Sequence, residues 1–145
     1  MSRHVPVKLR PVSVVLKITT DASYRHGRAF GCAHIENMGT GRTDERETQF
    51  SCASPLIAEI GTIAYALGYA PPDAAVTVMT DSEQAVLLLS GRTHTKSSPT
   101  LLAVVACRNA TFRNRLRMTY IWLSRRTREI ARVDSVGRQR MRGGV

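Results

Sequence analysis

Hydrophobic and polar positions along the chain follow two different periods, and the changes of period mark the predicted elements. Residues 12–20, VSVVLKITT, are β-branched and nearly continuous in apolar character, which is typical of a central strand covered on both faces. Residues 28–36 predict a second strand, and the polar, threonine-rich residues 42–51 predict an exposed edge strand. The turn cluster at 37–41 joins these two strands into a hairpin.

The period changes to that of a helix at residue 54. Apolar residues between Leu56 and Leu67 fall on one helical face, and Ser54 is a suitable N-cap for this helix. Gly68 ends the helix. Five further elements follow: a buried strand at 75–80, a helix at 82–89, a helix at 99–112, a strand at 117–123 and a final helix at 129–141.

The order of these elements, βββ-α-β-α-α-β-α, predicts an α/β fold. An opening hairpin followed by alternating helices and strands predicts a mixed sheet with helices on its faces. Residues 1–11 are expected to form a loose basic leader, and residues 12–145 a single domain. In the helix at 99–112 the stripe expected to face inward is Leu102, Val105, Ala106 and Asn109.

The charge of the chain is concentrated towards its carboxyl terminus. The 145 residues carry 21 Lys and Arg against 11 Asp and Glu, a formal net charge of +10. Residues 91–145 hold 13 of the basic residues and only two acidic ones, Glu129 and Asp134, whereas residues 1–90 are nearly neutral. Such asymmetry predicts a polyanionic partner, most simply nucleic acid.

One basic cluster, formed by Arg125, Arg126 and Arg128, follows the last predicted strand and precedes Asp134 closely in sequence. Guanidinium groups bind phosphates through paired hydrogen bonds, so these three arginines are the candidate phosphate contacts. A solvated basic face without specific contacts is the alternative.

Several classes of protein are excluded by the sequence. No window of 18 apolar residues is present, so no membrane-spanning helix is predicted. The first residues lack the apolar core and cleavage site of a secretory signal, and the three cysteines are widely spaced and odd in number. We therefore expect a cytoplasmic protein with neither a membrane partner, a disulfide nor a zinc site.

Four carboxylates stand where solvation alone would not place them. Asp21 ends the most apolar strand, and Asp81 directly follows the next buried strand. Glu59 borders the apolar stripe of the first helix, and Asp134 lies near the inward face of the last helix. Any one of them could be a turn or capping residue. Together they favour a site at the carboxyl ends of the strands, where α/β sheets collect their active sites.

Converging carboxylates repel one another unless a cation or a proton neutralises them. Oxygen ligands without a histidine or cysteine pattern select a hard divalent ion such as Mg²⁺ or Mn²⁺. Two such ions, about 4 Å apart, would form a clamp for phosphodiester hydrolysis. The four acids therefore predict a metal-dependent enzyme that acts on nucleic acid.

At these residues the sequence resembles the ribonuclease H family. Four segments carry the resemblance: Thr20-Asp21-Ala22-Ser23 is similar to a Thr-Asp-Gly-Ser motif, Ala58-Glu59 to an Ala-Glu helix motif, Thr80-Asp81-Ser82 to a Thr-Asp-Ser motif, and Ile121-Trp122-Leu123 to the tryptophan-bearing last strand. Asp134 takes the place of the fourth acid, and the resemblance covers about residues 12–140.

The resemblance implies a ribonuclease H-like fold with a five-stranded mixed sheet in the order 3-2-1-4-5. It implies that Asp21, Glu59, Asp81 and Asp134 are catalytic, that they hold two Mg²⁺ or Mn²⁺ ions, and that the enzyme hydrolyses the RNA strand of RNA–DNA hybrids. By the same resemblance Ser23 and Ser82, which belong to the first and third motifs, would contact the nucleic acid with the three arginines named above.

Some family features are missing from this sequence. Residues 124–128 lack the histidine of the corresponding loop, Ile130 replaces an asparagine, and residues 54–58 lack the asparagines that contact the hybrid. The substrate therefore stays open between a hybrid and DNA, because RNA is recognised through 2′-hydroxyl contacts and groove shape. A same-fold DNA nuclease such as a Holliday-junction resolvase is one alternative. An inactive nucleic-acid-binding module and a basic structural protein of a ribonucleoprotein are the others.

Overall fold

The computed structural model describes residues 13–124, and in this range the chain forms five strands and three helices. The strands are β1 (Val15–Arg25), β2 (Arg28–Asn37), β3 (Thr43–Ser51), β4 (Ala75–Thr80) and β5 (Arg117–Trp122). The helices are α1 (Pro55–Leu67), α2 (Glu83–Leu89) and α3 (Ser98–Arg113). No helix in this range is long and apolar enough to cross a membrane. The leader at 1–11 and the helix expected at 129–141 lie outside the described residues.

The strands form one mixed sheet in the order β3-β2-β1-β4-β5. β1 pairs antiparallel with β2, and β2 pairs antiparallel with β3. β4 is parallel to both of its neighbours, β1 and β5. The predicted α/β class and strand order are confirmed. The parallel centre explains why the apolar run at the start of β1 is continuous, because a central strand is covered on both faces.

β1 is longer than the sequence pattern predicted. Its pairing with β4 ends at Thr20 and Thr80, but it continues beside β2 as far as Arg25. A two-residue turn then reverses the chain, and both of its residues, His26 and Gly27, have positive φ angles of 50° and 74°. Such a turn fits the right-handed twist of the two strands. Asp21 therefore lies within β1 and not at its end, beside the point where β4 leaves the sheet.

Helix α1 follows the sequence prediction closely. The Ser54 hydroxyl accepts a hydrogen bond from the Ile57 amide at 3.2 Å, and Pro55 occupies the first turn. The helix approaches β2 at Gly31, where an added Cβ would lie only 2.2 Å from the Thr62 hydroxyl. The contact is possible because glycine has no side chain, and it fixes the depth at which α1 sits on the sheet.

The core lies between α1, α3 and one face of the sheet. Apolar side chains of β1, β2 and β4 meet the buried face of α1, with α3 packed beside it. The Cys107 thiol of α3 is buried and donates to the carbonyl oxygen of Ile60 at 3.3 Å. Burial raises the pKa of this thiol to about 12, so it stays protonated and packs as a small core residue.

The inward face of α3 differs from the predicted one. Thr100, Val104 and Cys107 are the buried residues, whereas the predicted stripe Leu102, Val105, Ala106 and Asn109 is exposed, with 70% of Leu102 accessible. The prediction followed the larger apolar side chains. The structure instead turns small side chains towards α1, which lets the two helices approach closely. The predicted stripe is therefore wrong, although the helix itself is confirmed.

Candidate metal centre

Asp21 reaches the site because β1 and β4 separate beside it. The last paired residues of the two strands are Thr20 and Thr80, and beyond them β1 keeps only β2 as a neighbour, with Asp21 opposite Cys32. Asp21 and Asp81, the residues that directly follow these two threonines, place their side chains in the resulting notch. Asp21 is almost completely buried there, with 2% of its surface accessible.

Asp81 occupies the turn between β4 and α2, and hydrogen bonds fix the turn on both sides. The Ser82 amide donates to the Thr80 hydroxyl at 3.2 Å, and the Ser82 hydroxyl accepts from the Ala85 amide at 3.3 Å as the N-cap of α2. The indole of Trp122 in β5 donates to the Asp81 carbonyl oxygen at 3.1 Å. The alternative in which Asp81 itself caps the helix is not realised, because Ser82 is the N-cap.

Glu59 is presented from the other side by α1. The residue belongs to the second turn of the helix and is buried, although a glutamate on an ordinary helix surface would extend into water. The N-cap and the contact at Gly31 both determine where α1 lies. Three separate elements thus supply one carboxylate each, and each element is held by its own local interactions.

The three carboxylates converge. Asp21, Glu59 and Asp81 each offer one oxygen atom, and these three atoms lie within 4.8 Å of one another. Like charges at this separation repel by about 3 kcal/mol per pair at an effective dielectric constant of about 20. Hard oxygen donors at such spacing are the ligands that Mg²⁺ and Mn²⁺ prefer, so the donor set fits a divalent cation of this class.

A pocket of about 370 Å³ connects the cluster to solvent. Its lining residues are Pro55, Leu56, Glu59, Asp81, Ser82, Glu83 and Gln84. One wall is therefore the apolar amino-terminal turn of α1, and the other is the polar amino-terminal turn of α2. The buried Asp21 is not among the lining residues, whereas the half-buried Asp81 lines the pocket and is accessible to a ligand.

The fold and this geometry can be compared with known proteins. The sequence matches no protein-family model and no curated protein. The N-terminal ribonuclease H domain of Rv2228c from Mycobacterium tuberculosis is 21% identical with a TM-score of 0.73, covering 92% of this chain and 100% of that one. Ribonuclease H1 from Halobacterium salinarum is 16% identical with a TM-score of 0.75, covering 89% and 98%.

A third structure, LC11-RNase H1 in complex with an RNA/DNA hybrid, is 21% identical with a TM-score of 0.67 and covers 83% of this chain and 91% of that one. The chain has the ribonuclease H fold. At these identities the comparisons establish the architecture, and the chemistry of the site rests on this chain's own residues.

On the ribonuclease H fold of this chain, the structure brings together three of the four predicted acids. Asp134 lies outside the described residues, as do Arg125, Arg126 and Arg128. Ser23 is half-buried in β1, two residues beyond Asp21, and strand alternation places both on the same face of the sheet. The assignment of these residues to catalysis or nucleic-acid contact stays a prediction.

Ser82 has a structural role that the motif alone did not indicate. Its hydroxyl is the N-cap of α2, and the residue also lines the pocket. The two residues that follow it, Glu83 and Gln84, complete the same wall and were not indicated by the sequence motifs. Their position in the first turn of a helix that begins directly after a site acid could have identified them.

The basic residues that precede β5 lie away from the site. Arg115 donates to both carboxylate oxygens of Asp73, at 2.8 and 3.1 Å, and this pair stands beside the amino ends of β4 and β5. Six residues of a strand span about 20 Å. Arg115 is therefore at the opposite end of the sheet from Asp81 and is already paired with an acid.

Proposed function

We propose that the protein is a metal-dependent endonuclease that hydrolyses the RNA strand of RNA–DNA hybrids. One observation supports this most strongly. Asp21, Glu59 and Asp81 converge within 4.8 Å at the notch between β1 and β4 of a ribonuclease H fold. A cluster of buried carboxylates is costly to retain unless something neutralises it, and a divalent cation does so.

Asp21, Glu59 and Asp81 would hold the metal, and the predicted fourth ligand is Asp134. A divalent cation bound there supplies Lewis-acid stabilisation of phosphate oxygens and a nucleophile at neutral pH. The chain's own residues would supply the geometry, because Asp21 and Glu59 are buried and their side chains have little room to rotate. Two ions are proposed, since phosphodiester displacement has both an attacking and a leaving oxygen to stabilise.

The substrate would enter along the pocket, with its scissile phosphate next to Asp81. The polar wall formed by Ser82, Glu83 and Gln84 offers hydrogen-bonding groups to the sugar edges, and a 2′-hydroxyl is what distinguishes RNA from DNA there. Arg125, Arg126 and Arg128 are the proposed phosphate contacts. LC11-RNase H1, which shares the fold, has been crystallised with an RNA/DNA hybrid.

A second candidate, a DNA nuclease of the same fold such as a Holliday-junction resolvase, is favoured by the other wall of the pocket. Pro55 and Leu56 line it, and neither side chain can donate or accept a hydrogen bond. This wall could pack against sugars but could not select a 2′-hydroxyl. A test of substrate class must therefore include DNA.

The experiment is a cleavage assay on four matched substrates: an RNA–DNA hybrid, duplex DNA, duplex RNA and a four-way DNA junction. Each is incubated with the protein and Mg²⁺ or Mn²⁺, beside the Asp81→Asn variant. We expect cleavage of the RNA strand of the hybrid alone, lost in the variant by about 1,000-fold or more, because several kcal/mol of stabilisation depend on the metal.

Asp73→Asn is the matched control, because Asp73 precedes strand β4 whereas Asp81 follows it, so the two aspartates lie at opposite ends of the strand. It should cleave the hybrid as the unmodified protein does. Cleavage of the junction but not of the hybrid would support the resolvase. Binding of hybrid without cleavage in either metal would contradict an enzymatic role and support an inactive binding module.

A further inference from the structure

Four threonines around the site are completely buried, and their hydroxyl groups are not equally satisfied. The Thr62 hydroxyl donates to the Ala58 carbonyl oxygen at 2.8 Å, and the Thr80 hydroxyl accepts from the Ser82 amide. The hydroxyl oxygens of Thr19 and Thr20 are buried and have no hydrogen-bond partner in the described part of the chain. Such a group is expected to have a reason, because burial without a partner costs free energy.

Thr20 faces α1. Thr20 lies two residues after Ile18 and therefore shares its face of the sheet, and Ile18 belongs to the core under α1. The neighbours of Thr20 across the sheet are Ala33 on β2 and Thr80 on β4. Ala33 offers no polar side-chain atom, and the Thr80 hydroxyl, which accepts the Ser82 amide, makes no hydrogen bond with Thr20. Thr19 points to the opposite face of the sheet, away from α1.

On the α1 side of the notch, Glu59 is the acid that the helix contributes to the cluster. Thr20 directly precedes Asp21, and Thr80, its partner across the strands, directly precedes Asp81. The carboxylate that completes the cluster with these two aspartates comes from α1, the helix that Thr20 faces. Among the three acids, Glu59 is thus the one that comes from the helix packed on the same face of the sheet as Thr20.

The hydroxyl of Thr20 is not needed for the fold. Valine has the same shape and an equal preference for strands, and it would leave no unsatisfied polar atom in the core. Carboxylates that ligate metal ions are commonly held by a hydrogen bond from a neighbouring group, which fixes the orientation of the ligand. A buried donor beside a carboxylate cluster matches that requirement.

We infer that Thr20 is a positioning residue for the metal centre. When a divalent cation fixes the Glu59 carboxylate, the Thr20 hydroxyl donates to the carboxylate oxygen that faces it and holds the ligand in the binding orientation. This rests on the proposed function only in that the three acids hold a cation. It goes beyond that function by assigning a role to a residue that is not itself an acid.

The test measures cation affinity in the absence of nucleic acid. Mn²⁺ binding to the full chain is followed by calorimetry for the unmodified protein and for Thr20→Val, Thr20→Ser and Thr62→Val. We expect Thr20→Val to bind Mn²⁺ about 10-fold more weakly, as is typical when a group that supports a ligand is lost. Thr20→Ser, which keeps the hydroxyl, should recover most of the affinity.

Thr62→Val is the matched control, because the Thr62 hydroxyl is satisfied within its own helix and valine keeps the bulk that meets Gly31. It should bind Mn²⁺ with unchanged affinity. Without metal, Thr20→Val should melt at the same temperature as the unmodified protein or higher. If Thr20→Val does not fold, Thr20→Ala removes the same hydroxyl with no added bulk and decides the question in its place.

Wild-type Mn²⁺ affinity in Thr20→Val would overturn the inference. Asp81→Asn separates this failure from a failure of the proposed function. If Asp81→Asn loses Mn²⁺ binding while Thr20→Val keeps it, only the role of Thr20 is wrong. If Asp81→Asn also keeps it, the three acids are not the cation site and the proposed function fails with the inference.

Discussion

Strand β4 has an aspartate near each of its two ends, and the two have opposite surroundings. Asp73, before the strand, is exposed and bonded to the Arg115 guanidinium at 2.8 and 3.1 Å. That pairing lowers the pKa of the Asp73 carboxyl. Asp81, after the strand, instead converges with the carboxylates of Asp21 and Glu59. The aspartate at one end of β4 is therefore paired with a base, and the aspartate at the other end is grouped with acids.

The difference shows where the described residues concentrate acidic side chains. At the amino end of β4 an arginine of the chain itself neutralises the acid, so nothing more is required of that region. At the carboxyl end the described residues bring three acids into one notch, and a cation from solution would balance them. Four substitutions test this contrast, in descending order of expected effect.

Asp81→Asn should remove the stabilisation that divalent cations give the protein. A cation that binds only the folded state, at 100 times its dissociation constant, stabilises that state by about 2.7 kcal/mol. The unmodified protein and Asp73→Asn should both show this gain in Mn²⁺ when thermal unfolding is measured with and without the ion. Asp81→Asn should show little of it, and in the absence of the ion it should be at least as stable as the unmodified protein. An equal gain in all three proteins would contradict the contrast.

Gly31→Ala should disturb the site end of the sheet and leave the other end intact. The new methyl group would meet the Thr62 side chain, so Thr62 must shift, and we expect α1 to move outwards and carry Glu59 with it. We expect a loss of about 1–3 kcal/mol in the free energy of unfolding, the usual cost of overpacking, together with weaker Mn²⁺ binding.

The double variant Gly31→Ala/Thr62→Ala should relieve the clash. It should recover much of the free energy of unfolding and of the Mn²⁺ affinity, because contacting residues do not contribute independently. Measuring the unfolding free energies of the two single variants and the double variant tests this. Additive losses would mean that the contact between α1 and β2 does not fix the position of Glu59.

Ser82→Ala should cost about 1 kcal/mol of stability, the usual value of a lost N-cap. Ser54→Ala is its matched control, because the Ser54 hydroxyl caps α1 with the same geometry, at 3.2 Å from the Ile57 amide. Chemical denaturation should give similar losses for both. If Ser82 also contacts nucleic acid, Ser82→Ala alone should raise the KM for the hybrid. Equal KM values for the two variants would limit Ser82 to its structural role.

Asp73→Asn should have the smallest effect on stability, and that effect should depend on pH. Because Arg115 lowers the pKa of Asp73 in the folded protein, the pair stabilises the fold above the ordinary pKa of an aspartate, and this is lost as the pH falls through the lowered value. The small difference in melting temperature between the two proteins should therefore be present at neutral pH and vanish in acid. It should also shrink in high salt, because both groups are exposed.

The sheet and its first helix were predictable because their patterns depend on neighbours in sequence. The apolar run at 12–20, the N-cap Ser54 and the strand at 75–80 each follow from local rules, and the motifs around Asp21, Glu59 and Asp81 located the site. The extension of β1 to Arg25 was missed because the turn at His26 and Gly27 was not recognised.

The inward face of α3 was predicted wrongly for a different reason. Apolar side chains lie on more than one side of α3. Leu102, a large apolar residue, lies on the side that faces solvent. Which side turns inward depends on the close packing of α3 against α1, a contact between distant segments. The role proposed for Thr20 was equally invisible in sequence, because only the folded structure shows that its hydroxyl is buried and has no hydrogen-bond partner among residues 13–124.

The central claim is that the three converging carboxylates hold a divalent cation. The most direct measurement is anomalous scattering from crystals of the protein soaked in Mn²⁺. A metal site formed by the three carboxylates predicts a peak bound by oxygen atoms of Asp21, Glu59 and Asp81, at about 2–2.5 Å from each ligating oxygen. An empty notch at Mn²⁺ concentrations that support cleavage of the hybrid, or a peak at another part of the chain, would contradict it.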